Sequence, residues 1–327
     1  MQEVIYSKEL SVEFLKALKE ELKNNFKSCK KIAIKIHFGE PGNNYALKPE
    51  DTYPIIKILR DLKIDFFLFD SPVAYDSIRK TPEGQISNAI KKGWNNIGEV
   101  KSSNNSVAIK GKNLVFEVCK ELIKADGVLV ISHFKGHVCS GFGGAIKNLG
   151  MGALSKETKS RIHDGGSPVY VGGCVGCKKC VLSCPINGIR FDDKNKKPIF
   201  VNCYGCSNCC YNCPSKAIKP KINYFDVLLA EGASIAQSRF KNFYYINILK
   251  RITKECDCEK NPKGIISKDI GYLCSKDGVA LDKASYDLVK NSEGDVFLEH
   301  NKKTGLEQIN AAESFGMGSK DYKLREF

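Results

Sequence analysis

Short apolar runs alternate with amphipathic stretches from residue 1 to about residue 155. Three of these apolar runs predict buried strands, at 32–36, 64–69 and 127–131. Apolar residues at helical spacing predict a helix over 12–26, and further helices are predicted to begin near Pro49 and to cover 114–124. Because strands and helices alternate, we expect an α/β fold with a mostly parallel sheet and helices on both faces.

The periodic pattern stops at a cysteine-rich stretch and resumes after it. Glycine and proline bound this stretch, at 165–168 on one side and at Pro220 on the other. The later part regains helical and strand patterns but contains no obvious core of its own. We therefore expect three parts: 1–165, the first part of the α/β domain; 166–220, an inserted α+β, ferredoxin-like module; and 221–327, the completion of the α/β domain with a polar C-terminal tail.

The composition is that of a globular protein, with 42% hydrophobic and 27% charged residues. The net charge of +14 is spread as lysine over every segment, which is typical of a solvated surface and suits an acidic redox partner. A nucleic-acid-binding protein would concentrate basic and aromatic residues on one element, so the pattern argues against that class. The sequence also lacks an export signal and an apolar run of the roughly 18 residues that a membrane span needs, so we expect a soluble cytoplasmic protein.

Eight of the fifteen cysteines form two copies of one motif, C-x-x-C-x-x-C-x-x-x-C-P. This is the spacing of bacterial two-cluster ferredoxins, in which the fourth cysteine of each copy ligates the other cluster. We therefore expect two 4Fe-4S clusters. One would be held by Cys174, Cys177, Cys180 and Cys213, and the other by Cys203, Cys206, Cys209 and Cys184.

The same cysteines could also serve a zinc site or a purely structural role. Pairs of C-x-x-C bind zinc, but a zinc site needs neither the third and fourth cysteines nor the prolines that follow them. The clusters would act as structural staples if nothing exchanged electrons with them, although two neighbouring clusters make a natural electron path. Cys210 lies beside Cys209 and breaks the pattern; spacing favours Cys209 as the ligand and Cys210 as a bystander.

Polar side chains follow the predicted strands, where the carboxyl ends of a parallel sheet form a crevice that binds ligands. Four of the five histidines are predicted to lie in loops, and Asp70 ends the second strand; these residues are His37, Asp70, His133, His137 and His163. The candidate catalytic residues, with Cys139 nearby, are His37, His133, Lys135 and His137. As a set they predict a pocket that binds a metal or presents acid and base groups to a small-molecule substrate. Any one histidine alone is more simply explained as a hydrogen-bonded or solvent-facing side chain.

Two further patterns each admit two roles. Glycines in 140–152 precede a short predicted helix, so its backbone N–H groups and Lys147 would cradle a phosphate or carboxylate, unless the glycines serve close packing. Cys256 and Cys258 have a spacing that can hold one extra metal ion, with Cys274 as a third ligand, or else they are reduced bystander thiols.

Several motifs resemble the family catalogued as domain of unknown function 362, in the version that carries an inserted two-cluster ferredoxin module. They are KIHFGEPGN (35–43), SHFKGHVCSGFGGAIKNLGMG (132–152), the cysteine repeat, CDC (256–258) and DIGYLCSKDGVALDKASYDLV (269–289). The resemblance implies cluster binding and an unassigned redox or electron-carrier role, without naming a substrate.

The sequence therefore predicts an iron–sulfur electron-transfer protein, a component of a redox enzyme, in which two clusters exchange electrons with a pocket of the α/β domain. One alternative is a metal or cluster delivery protein that hands over its cargo through Cys256 and Cys258. Another is a nucleic-acid-associated cluster protein, suggested only by the positive charge. A flavin stays among the candidate cofactors, since it leaves no dependable short motif.

Overall fold

The computed structural model describes all residues, 1–327. Its strands are β1 (Gln2–Ser7), β2 (Lys31–Lys35), β3 (Asp65–Phe69), β4 (Glu99–Lys101), β5 (Ser106–Lys110), β6 (Val115–Cys119), β7 (Gly127–His133), β8 (Lys135–His137), β9 (Gly141–Gly143), β10 (Pro168–Tyr170), β11 (Ile189–Asp192), β12 (Lys197–Phe200), β13 (Ile218–Pro220), β14 (Phe243–Leu249), β15 (Ile252–Thr253), β16 (Ile265–Ser267), β17 (Gly271–Ser275) and β18 (Tyr322–Glu326). Its helices are α1 (Val12–Phe26), α2 (Pro49–Asp61), α3 (Pro82–Lys91), α4 (Lys120–Lys124), α5 (Ala145–Gly152), α6 (Lys156–Gly165), α7 (Lys179–Leu182), α8 (Asn208–Tyr211), α9 (Phe225–Gln237), α10 (Gly278–Glu293), α11 (Val296–Asn301) and α12 (Leu306–Ser314).

Eight strands form one central sheet in the order β18-β1-β17-β14-β7-β2-β3-β4. Five neighbouring pairs are parallel, and only the pairs that involve β17 are antiparallel. The expectation of an α/β fold with a mostly parallel sheet is confirmed. Because β14, β17 and β18 come from the last third of the chain, that third completes the same sheet.

Helices cover both faces of the sheet, as expected. The buried strand β7 shows how: Val128 and Val130 point into a core of 44 residues on one face, while Leu129 and Ile131 point into a core of 26 residues on the other. The larger core contains side chains of α5, α9, α10 and α12, and the smaller contains side chains of α1 and α2. None of these helices is long and apolar enough to cross a membrane.

Local signals explain where the first helices begin. The hydroxyl of Ser11 accepts a hydrogen bond of 3.1 Å from the backbone N–H of Phe14, which caps α1. Pro49 occupies the first turn of α2, and the carboxylate of Asp51 accepts the N–H of Lys48 at 2.8 Å. The predicted helix over 12–26 and the predicted start near Pro49 are therefore correct.

The predicted helix over 114–124 is wrong in its first half. Residues 115–119 form β6, which pairs antiparallel with β5, and only the five residues of α4 are helical. Phe116 and Val118 are buried while Val115 is exposed, so the apolar residues alternate with the period of a strand. His133, His137 and His163 were expected in loops, but they lie in β7, β8 and α6 respectively.

Residues 166–220, called here the cysteine-rich segment, form a small unit against the α/β domain. Strands β10 and β13 pair antiparallel, with Pro168 opposite Pro220, so the segment begins and ends at neighbouring points. Strands β11 and β12 form a second ladder, and α7 and α8 contact each other. A separate buried cluster fills the segment, made of Cys180, Cys184, Ile189, Cys209, Cys210 and Ile218.

Candidate functional site

A cavity of about 720 Å³, called here the central cavity, opens where β2, β3 and β7 end. Parallel strands that end at one edge bring their following residues together, and here they bring Lys35, Asp70 and Ser132 into the cavity wall. The α5 side chains and the loop 256–259 form other parts of the wall. A cavity therefore lies at the carboxyl edge, where the sequence predicted a pocket, and the role of that pocket stays a prediction.

His37 belongs to a buried ionic network on one side of the central cavity. Asp70 pairs with Lys35 Nζ at 2.9 Å and with Arg79 at 3.4 Å, and Arg79 also pairs with Glu40 at 2.9 Å. Burial raises the pKa of Asp70, but the surrounding cations outweigh burial and bring that pKa to about 2. Burial, helped by Arg79, lowers the pKa of His37 well below its ordinary value. His37 is thus a neutral ring, 2.9 Å from Arg79 Nη2, and accepts its hydrogen bond through Nε2.

His133 and Lys135 hold the loop that carries Asp257. His133 Nδ1 lies 2.9 Å from Asp257 Oδ2, its Nε2 lies 2.6 Å from the carbonyl oxygen of Lys250, and Lys135 Nζ donates to Asp257 Oδ1 at 2.8 Å. Burial raises the pKa of Asp257, but the positive charges of His133 and Lys135 bring it well below its usual range. His133 lines the central cavity and Lys135 does not, so Lys135 is a positioning residue.

His137 meets both cysteines of the CDC motif. His137, Cys256 and Cys258 each present one donor atom, and these atoms lie within 4.8 Å of one another. The two sulfurs are bonded to each other, and Lys147 Nζ lies 3.9 Å from Cys256 Sγ. Once that bond is reduced, three donors of this kind could hold a metal ion, so the structure has a possible metal-binding group where the sequence predicted one at Cys256 and Cys258.

Cys274, predicted as the third ligand of this group, lies elsewhere. It is buried in β17 within the smaller core, and its neighbours across the sheet are Ile5 and Ile246. Burial raises the pKa of its thiol to about 12. The prediction for Cys274 is wrong, because the register of β17 places its side chain in the smaller core, and sequence spacing does not reveal strand register.

The glycines of 140–152 serve close packing rather than a phosphate. The backbone N–H groups of Ala145 and Ile146, at the start of α5, donate to the carboxylate of Asp282 at 2.7 and 2.9 Å. A Cβ on Gly144 would collide with that carboxylate, and one on Gly150 would collide with the backbone of α9. The expected anion cradle is therefore filled by a side chain of the protein itself.

Lys147 instead faces the central cavity. It makes no ion pair, and its single side-chain contact is the one with Cys256. Burial lowers its pKa to about 8. Lys159, also in the wall, has three oxygen partners within 3.3 Å: two carbonyls and the Ser71 hydroxyl.

A second, small cavity lies inside the cysteine-rich segment. It is lined by one cysteine of the first motif copy and three of the second: Cys184, Cys203, Cys206 and Cys209. Backbone N–H groups point at two of these sulfurs, with Gly188 N 3.1 Å from Cys184 Sγ and Gly205 N 3.3 Å from Cys203 Sγ.

The remaining four motif cysteines lie away from both cavities. Cys177 is exposed, Cys174 and Cys213 are half-buried, and Cys180 is buried. Cys210, the extra thiol, is buried beside Cys209.

Cys203 and Tyr204 line both the small cavity and the central cavity. Three further contacts fix this junction to the α/β domain. The Ser207 hydroxyl accepts the backbone N–H of Phe225 in α9 at 2.9 Å, and Lys303 Nζ donates to the carbonyl of Cys206 at 3.1 Å. The imidazole of His163 contacts the carbonyl of Tyr204.

Sequence reasoning missed Arg79, Tyr204 and Lys303, for which no local pattern gives a signal. Asp257 did have a sequence signal, because an acidic residue between two cysteines indicates that a positively charged partner lies nearby. Its partners come from β7 and β8, more than 120 residues earlier in the chain.

An α/β protein with a ligand-sized cavity at the carboxyl edge of its sheet is the class that this fold and site define. More specifically, the chain belongs to the family described as domain of unknown function (DUF362), whose model matches residues 32–287. A search of curated proteins finds no match.

Two solved structures are similar to the chain at 10% identity. One is the crystal structure of a Thermotoga maritima protein, with a TM-score of 0.40, covering 92% of this chain and 59% of that one. The other is the lactate racemase apoprotein from Thermoanaerobacterium thermosaccharolyticum, with a TM-score of 0.37, covering 76% of this chain and 50% of that one. The chain thus spans between half and three fifths of the length of these structures.

Proposed function

We propose that this protein is an iron–sulfur electron-transfer protein, a redox-enzyme component whose cysteine-rich segment holds two 4Fe-4S clusters and exchanges electrons with a substrate in the central cavity. The observation that carries the proposal is the shared wall of the two cavities, formed by Cys203 and Tyr204. A cluster bound by Cys203 would lie directly beside the space available to a substrate.

The gathering of four cysteines around the small cavity supports crossed ligation. Three of them belong to the second motif copy and the fourth, Cys184, belongs to the first, as in two-cluster ferredoxins. Backbone N–H groups aimed at the sulfurs suit thiolate ligands, because they stabilise negative charge on sulfur. Clusters of this type supply one-electron transfer when bound.

The positions of the two cysteine sets favour a direction for electron entry. Cys177 is exposed and lines neither cavity, so its set suits the docking of a partner protein. The cysteine-rich segment carries eight basic residues and only two acidic ones, which favours an acidic partner. Electrons would enter at the Cys177 set and leave through the Cys203 set.

The charge of the central cavity favours an anionic substrate. Asp70 is neutralised by Lys35 and Arg79, whereas Lys147 has neither a carboxylate nor a carbonyl partner. A carboxylate or phosphate group on a small molecule would supply the missing counter-charge.

Anaerobic purification followed by iron and sulfide analysis tests the proposal, with about eight of each expected per chain. An electron paramagnetic resonance redox titration should then show two one-electron couples. A colourless, zinc-loaded protein without sulfide would overturn the proposal. A Cys203→Ser variant should retain about four irons and lose the signal of one cluster.

A further inference from the structure

We propose that His137, Cys256 and Cys258, once the bond between the two sulfurs is reduced, form a mononuclear metal site in the wall of the central cavity, with its fourth position open to that cavity. The three donor atoms lie within 4.8 Å of one another, a separation that one ion can bridge. All three residues line the cavity. This site depends on none of the eight motif cysteines.

His137 is held with one ring nitrogen available. Its Nδ1 lies 2.9 Å from Ser140 Oγ, and that hydroxyl donates to the carbonyl of Phe142 at 2.6 Å, so in the metal-bound form Oγ would accept from Nδ1–H and leave the lone pair of Nε2 for the ion. Its Nε2 has no partner in the protein, so it can bind a metal. Partners of this kind on the second nitrogen fix the ring orientation of metal-bound histidines.

Close packing brings His137 to the cysteine loop. Gly136, its neighbour in β8, lies against the backbone of Lys254, where a Cβ has no room. The side chain of Asn301 donates to the carbonyl of Lys254 at 3.0 Å and so secures the same loop from another side. A glycine at 136 is therefore required for this approach.

The two sulfurs lie in the cavity wall on a loop that Asp257, the residue between them, anchors. Asp257 is anchored by His133 and Lys135, and its carboxylate also accepts the N–H of Leu47 at 3.3 Å. The backbone N–H of Cys258 lies 3.4 Å from Cys256 Sγ, and the ammonium of Lys147 lies near the same sulfur. A cation and an N–H group at this distance favour the thiolate form that binds metals.

Metal binding requires that the bond between the two sulfurs is first reduced. Two external thiols reduce the sulfur–sulfur bond by supplying two electrons and two protons, and they leave as a disulfide; alternatively, two molecules of a reduced one-electron carrier supply the electrons and water supplies the protons. A divalent ion then displaces both protons and binds two thiolates and the imidazole. Two sulfurs and one nitrogen select a thiophilic ion such as Zn²⁺, and three protein ligands with one open position are typical of catalytic rather than structural zinc sites. The open position and Lys147 would together receive the negative group of a substrate.

The test uses the full chain with its motif cysteines intact, kept anaerobic and reduced with a phosphine, and titrated with Co²⁺ as the probe. We expect one equivalent to bind with sulfur-to-cobalt charge-transfer absorption, and Zn²⁺ to displace it. The unreduced protein should give no such absorption. Cys256→Ser/Cys258→Ser should abolish it, and His137→Ala should weaken Co²⁺ affinity at least about tenfold.

Cys274→Ser is the matched control, because it removes a buried thiol outside the cavity and should leave the titration unchanged. If the double variant fails to fold, Cys258→Ser alone replaces it, since that residue is half-buried. Absence of Co²⁺ binding after two thiols have been freed, or equal binding by the cysteine variants, would overturn the proposal. Iron and sulfide measured on the same samples report separately on the clusters, so either proposal can fail alone.

Discussion

The imidazole Nδ1 of His163 lies 2.7 Å from the backbone carbonyl oxygen of Tyr204. His163 is in α6 of the α/β domain, and Tyr204 follows Cys203 in the cysteine-rich segment. Since a carbonyl only accepts, Nδ1 carries the proton and donates it. The ring also packs on Phe225, with centroids 5.0 Å apart, so it is fixed on two sides. This contact fixes Tyr204, which lines both cavities, to the α/β domain.

Cys203 itself is already exposed, and replacing His163 by alanine should increase the exposure of its set to water. A cluster becomes more negative on reduction, and water stabilises the added charge, so we expect one of the two reduction potentials to rise by tens of millivolts. An electron paramagnetic resonance redox titration measures both potentials. His300→Ala is the control, because His300 lies in α11 and does not line the cavity. Equal potentials in His163→Ala and the parent protein would contradict the role given to this contact.

Crossed ligation can be tested by pairing substitutions. Cys184 and Cys203 would hold the same cluster, so Cys184→Ser/Cys203→Ser should keep about four irons per chain. Cys174→Ser/Cys184→Ser would damage both clusters and should keep almost none. Iron and sulfide analysis of anaerobically purified variants gives the answer. The reverse result, four irons only in the second variant, would show that each motif copy holds its own cluster.

Asp70→Asn should destabilise the protein strongly. The substitution leaves Lys35 and Arg79, both fully buried, without their shared counter-charge, and breaking a buried pair in this way costs about 3–5 kcal/mol. Urea denaturation at pH 7 measures the free energy of unfolding. Asp65→Asn, an exposed substitution at the start of β3, the strand that precedes Asp70, should change it by less than about 0.5 kcal/mol. Similar free energies of unfolding for Asp70→Asn and Asp65→Asn would show that the ionic network does not stabilise the protein.

The low pKa of Asp70 also predicts that the stability of the protein falls in acid. Its pKa of about 2 in the folded protein lies below its ordinary value of 3.8, so its contribution to stability is complete above pH 4. That contribution, about 2 kcal/mol, is lost as the pH falls from about 4 towards 2. Denaturation curves at successive pH values should show this loss in the parent protein, and Asp70→Asn should lack this part of the slope.

Lys303→Met should also lower the free energy of unfolding by about 3–5 kcal/mol, because it leaves Asp226, which is buried and ion-paired with Lys303, without its counter-charge. Lys303→Met/Asp226→Leu should recover most of that loss, since apolar side chains often replace a buried ion pair without penalty. Lys320→Met, which removes a half-exposed pair with Glu313, serves as the control and should cost less than about 1 kcal/mol. Thermal or urea unfolding measures the stability of the parent protein and of these three variants. No recovery in the double variant would mean that the carbonyl contacts of Lys303, rather than its charge, hold the segment.

The sequence by itself determined the features that depend on neighbouring residues. The helix over 12–26 and the buried strand at 127–131 follow from local periodicity, and the alternation of strands with helices was enough to predict a mostly parallel sheet. The spacing of the eight cysteines likewise predicts two clusters, and iron and sulfide analysis tests that prediction. The local pattern of 114–124 fits both the period of a helix and the period of a strand. Pairing with β5 decided that its first half is a strand.

The tertiary structure alone decided which distant residues meet. His137 and Cys256 are separated by more than a hundred residues, and Asp282 reaches the start of α5 from a different helix. The predicted partner Cys274 lies in β17, where it is buried in the smaller core. Local periodicity carries no information about strand order, register or loop packing. Those arise from the free energy of burying both faces of one sheet, and they place the candidate site at the edge where its strands end.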